Sequence, residues 1–552
     1  MSALTPAPGA AAVRPYSPGG RPAECVLDLA ASCTVGAGYP DSSRLERRLA
    51  QRFGVTPDRV LVTAGADEAI DRCCRAVLCS GTNAVLTDPT FEMLPRYVTL
   101  TGAEARWVPW PSGPFPAGAV AAAADTRTAL VAVVTPNNPT GAVAAAAEVK
   151  RVHEAVPQAL VVVDLAYVEF ADLDPTVELL ELPRVVVVRT LSKAWGLAGA
   201  RIGFAIGSPG TIALLKSCGG PYPVSEASLA VAAVALDRDE AGMRAAVRNV
   251  RRNRGRLTTL LTELGEPPLP SQASFVCLDR ARARWIGDAL GSLGIATRLL
   301  EGGGRERLRI GVPHDDAQFA LLERALRTVL MPEALIFDMD GVLADVSGSY
   351  RAAIRLTAER FGVALADGEV RSRKALGNAN DDWALATELI AARGGVASLA
   401  EVKQTFEEIY QGTGAGAGLW PLERLMIGRG LLASLSARYR LAVVTGRPRT
   451  DAERFLWSFG VRHLFDAVVT REDAPLKPDP APVLAALAAV GCDRAWMLGD
   501  TPDDVVAARR AGVVPIGVVA PGEPEGESRA TLRRAGAALV IREPGEVAKW
   551  LR

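Results

Sequence analysis

Short apolar runs alternate with longer Ala-, Leu- and Arg-rich stretches along the whole chain. In the first part the runs are VLVT (60–63), AVLT (84–87), LVAVVT (130–135), LVVVD (160–164) and VVVVRT (185–190). They are continuous rather than alternating. That pattern predicts parallel strands buried on both faces, with the intervening stretches as crossover helices. After residue 227 come long Ala/Arg-rich helices, then a smaller α+β segment. Its strands are predicted at SFVCL (274–278) and RLRIGV (307–312), and a helix over 315–330 ends at Met331-Pro332.

A second series starts at once with ALIFD (334–338), followed by LAVVT (441–445), AVVT (467–470), AWMLGD (495–500) and VVPIGVV (513–519). Between its first two runs the pattern is helical, which predicts an inserted subdomain over about 347–430. GTGAGAGLW (412–420) reads as its flexible return. The fold class is therefore α/β. Residues 1–22 read as a disordered tail, 23–331 as a first domain with a large and a small lobe, and 332–552 as a second.

Composition narrows the function. Hydrophobic residues make up 49% and charged residues 22%, and Lys+Arg and Asp+Glu are both 62, so the net charge is zero. Nothing in that balance draws nucleic acid or an anionic membrane. No apolar run approaches the ~20 residues of a membrane span, and the Pro/Gly/Ala-rich start lacks a signal-peptide core. The eight cysteines (Cys25, Cys33, Cys73, Cys74, Cys79, Cys218, Cys277 and Cys492) show no paired metal-ligand spacing. They read as buried, reduced thiols of a cytoplasmic protein. With only three histidines, His153, His314 and His463, the chemistry falls to Lys, Asp, Tyr, Arg or cofactors.

Four segments of the first part carry candidate chemistry. VLVTAGADEAI is a strand, a glycine turn and a helix start, where the N–H groups of Ala66 and Asp67 favour a phosphate. TPNNPTG (135–141) is a strand end and a Pro-Gly turn, or a plain loop. VVVDLAYVEF sets Asp164 in apolar surroundings, where a lone carboxylate is costly unless paired. RTLSKAWGLAGARIG sets Lys193 just past a buried strand, with Arg201 eight residues on.

In this order the four segments resemble the fold-type-I pyridoxal-phosphate (PLP) aminotransferases, most closely the histidinol-phosphate aminotransferase group, over roughly residues 24–330. The resemblance implies that Lys193 attaches the cofactor and shuttles the substrate proton. It implies that Asp164 keeps the pyridine nitrogen protonated, and that Asn138 and Tyr167 bond the ring hydroxyl oxygen. Ala66, Asp67, Thr190, Ser192 and Arg201 would hold the cofactor phosphate, and Phe91 would stack on the ring where the family usually has Tyr. Arg309, in RLRIGV, matches a substrate-anion arginine, and Arg298, in GIATRLL, is a second candidate; either guanidinium suits carboxylate or phosphate. Tyr39 matches a tyrosine that reaches the neighbouring subunit's cofactor phosphate, which implies a homodimer. Two features depart from the family. The segment before Tyr-Pro-Asp is shortened, and Leu165 stands where the family has Glu.

In the second part, ALIFDMDGVLAD places Asp338 and Asp340 at a strand end, where two carboxylates need a cation or a proton to coexist. VVTGR (Thr445), LKPDP (Lys477) and MLGDTPDDVVAA (Asp500, Asp503, Asp504) each follow an apolar run, and in a parallel sheet such ends converge. The ordered set resembles the haloacid-dehalogenase-like (HAD) hydrolases over 334–552. The resemblance implies that Asp338 attacks phosphorus and Asp340 is the acid and base. Thr445 and Lys477 would hold phosphate, and Mg²⁺ would be bound by Asp338, Asp500, Asp504 and the Asp340 carbonyl. Asp340 points to a phosphatase or phosphotransferase, and the helical insertion to a cap that sets substrate choice. LGNANDDW (376–383) fits either a cleft lining or a solvated loop.

The two resemblances together point to transamination of a phosphorylated keto compound followed by hydrolysis of the amino phosphate, with histidinol phosphate as the leading candidate. Threonine-phosphate decarboxylases share the same PLP residues and form an alternative. So does a HAD half acting only as a regulatory or dimer-stabilising module.

Overall fold

The valine runs of the first part form the middle of a seven-stranded sheet. Its order is Val60–Thr63, Gly203–Ile206, Val185–Thr190, Leu160–Asp164, Thr128–Val134, Asn83–Asp88 and Glu104–Pro109. Side-chain alternation explains why these runs are apolar throughout. Val161, Val163, Val185 and Val187 enter the core on one face of the sheet, and Leu160, Val162, Val186 and Val188 the core on the other. Fully burying such a side chain stabilises by about 1.5–3 kcal/mol. The five strands from Val185–Thr190 to Glu104–Pro109 pair in parallel. VLVT, expected to be parallel, is instead antiparallel to Gly203–Ile206, which is antiparallel to Val185–Thr190. A strand buried on both faces has the same composition in either direction, and the glycine-led Gly203–Ile206 gave no strand signal of its own.

The computed structural model describes residues 4–14, 39–302, 304–377, 379, 381–413 and 416–551. The chain divides into two compact units, Met1–Arg280 with Leu300–Phe319, and Ala281–Leu299 with Ala320–Arg552. Part of the expected tail is ordered. Pro8–Ala11 is a helical turn and Ala7 is buried, its N–H donating to Ala76 O at 2.9 Å. The remainder of that tail, the shortened segment before Tyr39, Cys25 and Cys33 lie outside the described residues. Of the other cysteines, Cys73, Cys74 and Cys277 are buried, whereas Cys79, Cys218 and Cys492 are half-buried; all six are free thiols.

The smaller lobe of the first unit pairs Phe275–Leu278 antiparallel with Arg305–Gly311, which sets Arg309 opposite Cys277. The helices Glu226–Arg238 and Glu240–Glu263 precede it, as the Ala/Arg-rich pattern predicts.

The second unit is built on a six-stranded parallel sheet. Its order is Ala467–Val469, Arg440–Val444, Ala334–Phe337, Ala495–Gly499, Val514–Val518 and Leu539–Ile541. Four helices (Tyr350–Arg360, Asp367–Lys374, Asp382–Ala392 and Leu399–Gln411) fill the insertion between the first two of these strands in the chain. At its return, Gly412–Thr413 pairs antiparallel with Gly416–Ala417, and residues 414–415 lie outside the described residues. The helix Ala283–Ser292 also belongs to this unit. Trp285 packs edge-on against Trp496 with centroids 5.0 Å apart and lies 5.5 Å from Trp550. Arg282 donates to Trp550 O at 2.8 Å, and Arg509 Nε to Ser292 O at 3.1 Å. Among the described residues no helix is long and apolar enough to cross a membrane.

Candidate functional sites

The first candidate site gathers at the carboxyl ends of the parallel strands in the first unit. Asp164 is the last residue of its strand and Thr190 the last of the next. Asn138 follows Thr128–Val134, and Phe91, half-buried against the core, follows Asn83–Asp88. Ala66 and Asp67 open the helix Ala66–Val77 behind Gly65, whose φ of 85° favours glycine. Gly203 lets two backbones meet, because a Cβ there would fall 2.5 Å from Ala66 N.

These residues are linked to one another. Arg201, in the left-handed region at φ 51°, donates to Asp67 at 3.0 Å. Thr190 Oγ1 donates to Ser192 Oγ at 2.9 Å and accepts from Ser192 N at 3.1 Å. Lys193 Nζ lies 5.3 Å from the Tyr167 ring centroid. Asp164 is fully buried and its carboxyl is pushed up to about 6. Burial is the main cause and Asp67 adds to it, while the Ala166 N–H at 3.0 Å and the Lys193 charge oppose it. Arg309 Nη1 donates to Asn138 Oδ1 at 2.6 Å.

Two expected residues stand apart. Arg298 is exposed and falls in the second compact unit. Tyr39 is 50% exposed and stacks on Tyr222 with centroids 4.5 Å apart, with no link to the other candidates among the described residues. Sequence reasoning missed Phe275, whose ring meets Tyr167 at 5.0 Å and Arg309 at 5.2 Å. It also missed Asn137, which is buried and donates to Pro89 O at 3.0 Å beside Asn138. The doubled Asn in TPNNPTG was the available signal for Asn137. Phe275 had none, being one more apolar residue in a strand.

The second candidate site lies at the carboxyl ends of the other sheet. Carboxylate oxygens of Asp338, Asp500 and Asp504 all come within 4.8 Å of one another. Lys477 Nζ sits among them, 2.6 Å from Asp338 Oδ1 and 2.5 Å from Asp504 Oδ1. Burial disfavours its charge, but Asp338 and Asp504 outweigh that and raise its pKa. Asp338 is raised by burial against the pull of Lys477, and Asp500 is pushed up to about 7 by burial and by Asp504. Two buried carboxylates and the half-buried Asp500, set against Lys477 and an Arg351 guanidinium 3.8 Å from Asp500, leave an excess of negative charge that suits a divalent cation. Gly341 permits the approach, since a Cβ there would fall 2.3 Å from Asp500 Oδ2. The Asp340 side chain lines the same cleft and accepts from Arg447 Nε at 2.6 Å. Thr445 is buried at the end of Arg440–Val444, its Oγ1 accepting from Arg447 N at 3.1 Å.

The helical insertion helps line a narrow cleft of about 30 Å³ beside Asp338, Asp340 and Asp500. It contributes Arg351, Lys374, Asp382 and Trp383, so the end of LGNANDDW lines the cleft, while Asn378 and Asn380 lie outside the described residues. Lys374 pairs with Asp382 at 2.8 Å, and the Arg471 guanidinium lies 4.1 Å from the Trp383 centroid. Asp503 accepts from Ala379 N at 3.2 Å, which ties that loop to the helix Pro502–Arg510. Sequence reasoning missed Arg447. It sits inside the VVTGR motif, but an arginine after a strand end carries no signal until its partners are known.

Comparison with known proteins assigns a family to each part of the chain. The family described as aminotransferase class I and II matches residues 22–325, and the haloacid dehalogenase-like hydrolase family matches 335–518. A histidinol-phosphate aminotransferase of Geobacillus thermodenitrificans is 37% identical over 46% of this chain and 70% of its own length. An aromatic amino acid aminotransferase of Mycobacteroides abscessus is 35% identical over 52% of this chain and 85% of its own. A protein of Phytophthora nicotianae named imidazoleglycerol-phosphate dehydratase is 45% identical over 34% of this chain; the match spans 44% of that protein. The chain belongs to the class I and II aminotransferase family, with a haloacid dehalogenase-like hydrolase fused behind it.

Proposed function

We propose that this chain is a bifunctional enzyme. One site would be a PLP-dependent aminotransferase acting on a phosphorylated substrate of the histidinol-phosphate type. The other would be a Mg²⁺-dependent phosphomonoesterase working through an aspartyl phosphate. The observation that carries the reading is the pair of constellations in one chain. Buried Asp164 feels the charge of Lys193 at one sheet end, and Asp338 and Asp504 hold Lys477 beside Asp500 at the other.

The first constellation fits PLP. A carboxylate buried as deeply as Asp164 calls for a cationic partner beyond Lys193, and a protonated pyridine nitrogen is one. Bound PLP would supply the electron sink for breaking the bond to the substrate's α-hydrogen. Lys193 would attach it, and then its Nζ would take the proton from the substrate Cα and return it elsewhere. Asn138 Oδ1 is engaged by Arg309, which leaves its Nδ2 to donate to the ring oxygen with Tyr167. Arg201, Ser192 and the N–H groups of Ala66 and Asp67 would bind the cofactor phosphate, and Phe91 would cover the ring. Arg309 would bind the substrate anion, and Tyr39 would complete the site of the other subunit in a homodimer.

The second constellation fits Mg²⁺ by its excess of buried carboxylate, with Asp338, Asp500 and Asp504 as holders. The bound ion would neutralise charge during phosphoryl transfer. Asp338 would attack phosphorus while Lys477 and Thr445 hold the non-bridging oxygens. As the ester P–O bond breaks, Asp340 would give its proton to the leaving oxygen, and it would then activate the water that hydrolyses the aspartyl phosphate. The Geobacillus and Phytophthora relatives, whose names concern histidinol phosphate and imidazoleglycerol phosphate, support a place in histidine synthesis. Six free thiols among the described residues support the cytoplasm as the compartment.

The Mycobacteroides relative favours a second reading, in which the first site takes an aromatic amino acid and the two sites serve separate substrates. Comparing histidinol phosphate with phenylalanine as amino donors decides between them. A rate higher with phenylalanine, with no turnover of histidinol phosphate, selects the second reading.

A further inference from the structure

Arg447 is 1% exposed on the loop that follows Arg440–Val444. Its Nε donates to Asp340 Oδ1 at 2.6 Å, and Nη2 lies 2.6 Å from the same oxygen. Its Nη1 and Nη2 fork onto Glu423 Oε2 and Oε1 at 2.9 and 3.0 Å. Glu423 is buried too and accepts from Ser349 Oγ at 2.9 Å and Tyr410 Oη at 3.1 Å. The Tyr350 ring covers the guanidinium at 4.6 Å, and its hydroxyl donates to Asp451 at 3.1 Å. Glu423 immediately precedes Arg424–Leu425, which pairs with Ala344–Asp345 just past Asp340 in the chain.

A buried guanidinium between two carboxylates is a poor source of stability, because desolvation offsets most of the attraction. What it supplies is direction, since a planar fork fixes the plane of the carboxylate it holds. Here one end of the fork is locked by the segment returning from the helical insertion, and the other grips one oxygen of Asp340. Asp340 is left with Oδ2 to exchange protons.

We propose that Arg447, locked by Glu423, is the positioning residue that presents Asp340 Oδ2 to the ester's leaving oxygen. The inference rests on the phosphatase reading given above. As Asp338 forms its bond to phosphorus and the P–O ester bond breaks, the proton on Oδ2 passes to the departing oxygen.

The test uses leaving-group chemistry on the full chain with Mg²⁺. An alkyl ester such as histidinol phosphate needs that proton, whereas p-nitrophenolate departs without it near neutral pH. In both cases kcat/KM reports the first phosphoryl transfer. General acid catalysis contributes about 10²- to 10⁴-fold. Arg447→Ala and Glu423→Gln should therefore lower kcat/KM for histidinol phosphate by about 30-fold or more. For p-nitrophenyl phosphate the fall should stay near threefold, about 0.65 kcal/mol. Arg447→Lys, which keeps the charge but cannot span both carboxylates, should fall between Arg447→Ala and wild type. An equal fall for both esters, with raised KM, would make Arg447 a phosphate ligand and overturn the proposal. An unchanged ratio would overturn it as well. Should Arg447→Ala fail to fold, the ratios for Arg447→Lys and Glu423→Gln decide. A wild-type chain inert on both esters overturns the phosphatase reading itself, and the proposal with it.

Discussion

At the residue scale, Asp164 makes a prediction about pH. Its carboxyl is held at about 6 rather than 3.8 by burial. Between those values the folded cofactor-free protein keeps a proton that the unfolded chain releases. Stability is therefore lost as pH rises through that window, by about 3 kcal/mol. Urea denaturation of the cofactor-free protein should show this loss between about pH 4 and pH 7, and Asp164→Asn should remove that component. Identical pH slopes in the two proteins would contradict the buried placement. Lys193→Ala should abolish the visible absorbance of lysine-bound PLP along with transamination; a mutant that still shows both rules out Lys193 as the attachment point. Arg309→Ala should lower kcat/KM for an anionic substrate by about 2–5 kcal/mol. An unchanged value would leave Arg309 as a support for Asn138. Lys193 and Asp338 could be singled out in the sequence because the proposed chemistry demands one residue type at one spacing. Arg447, Phe275 and Gly203 were not legible, because each acts through a partner distant in the chain, and no local pattern marks such a partner.

At the element scale, the strands buried on both faces were readable from their continuous apolar runs. Their direction was not, as Val60–Thr63 shows by pairing antiparallel with Gly203–Ile206. The helix Ala283–Ser292 poses the same difficulty. An amphipathic stripe says that one face is covered without saying by what, and its Trp285 is buried against Trp496 and Trp550. The sequence break near 331 therefore does not coincide with the limits of the second compact unit, which takes in Ala281–Leu299. Trp285→Ala should destabilise that unit by about 3–5 kcal/mol, the cost of emptying a large core site. Phosphate release should then be lost at lower urea than in wild type. An unshifted midpoint would mean that this helix does not support the six-stranded sheet.

At the scale of the whole molecule, two constellations on separate sheets predict separable chemistries. Asp338→Asn, or removal of the metal with a chelator, should stop phosphate release and leave transamination near its wild-type rate. Loss of both activities in a folded Asp338→Asn protein would show that the sites are coupled. The central claim is that one compound links them. The measurement that tests it most directly presents histidinol phosphate to the full chain with PLP and Mg²⁺, following cofactor absorbance and phosphate release in the same sample. The account predicts an absorbance change that Lys193→Ala removes, together with phosphate release that Asp338→Asn removes. Histidinol phosphate that produces neither signal, while other substrates serve each site separately, would contradict it.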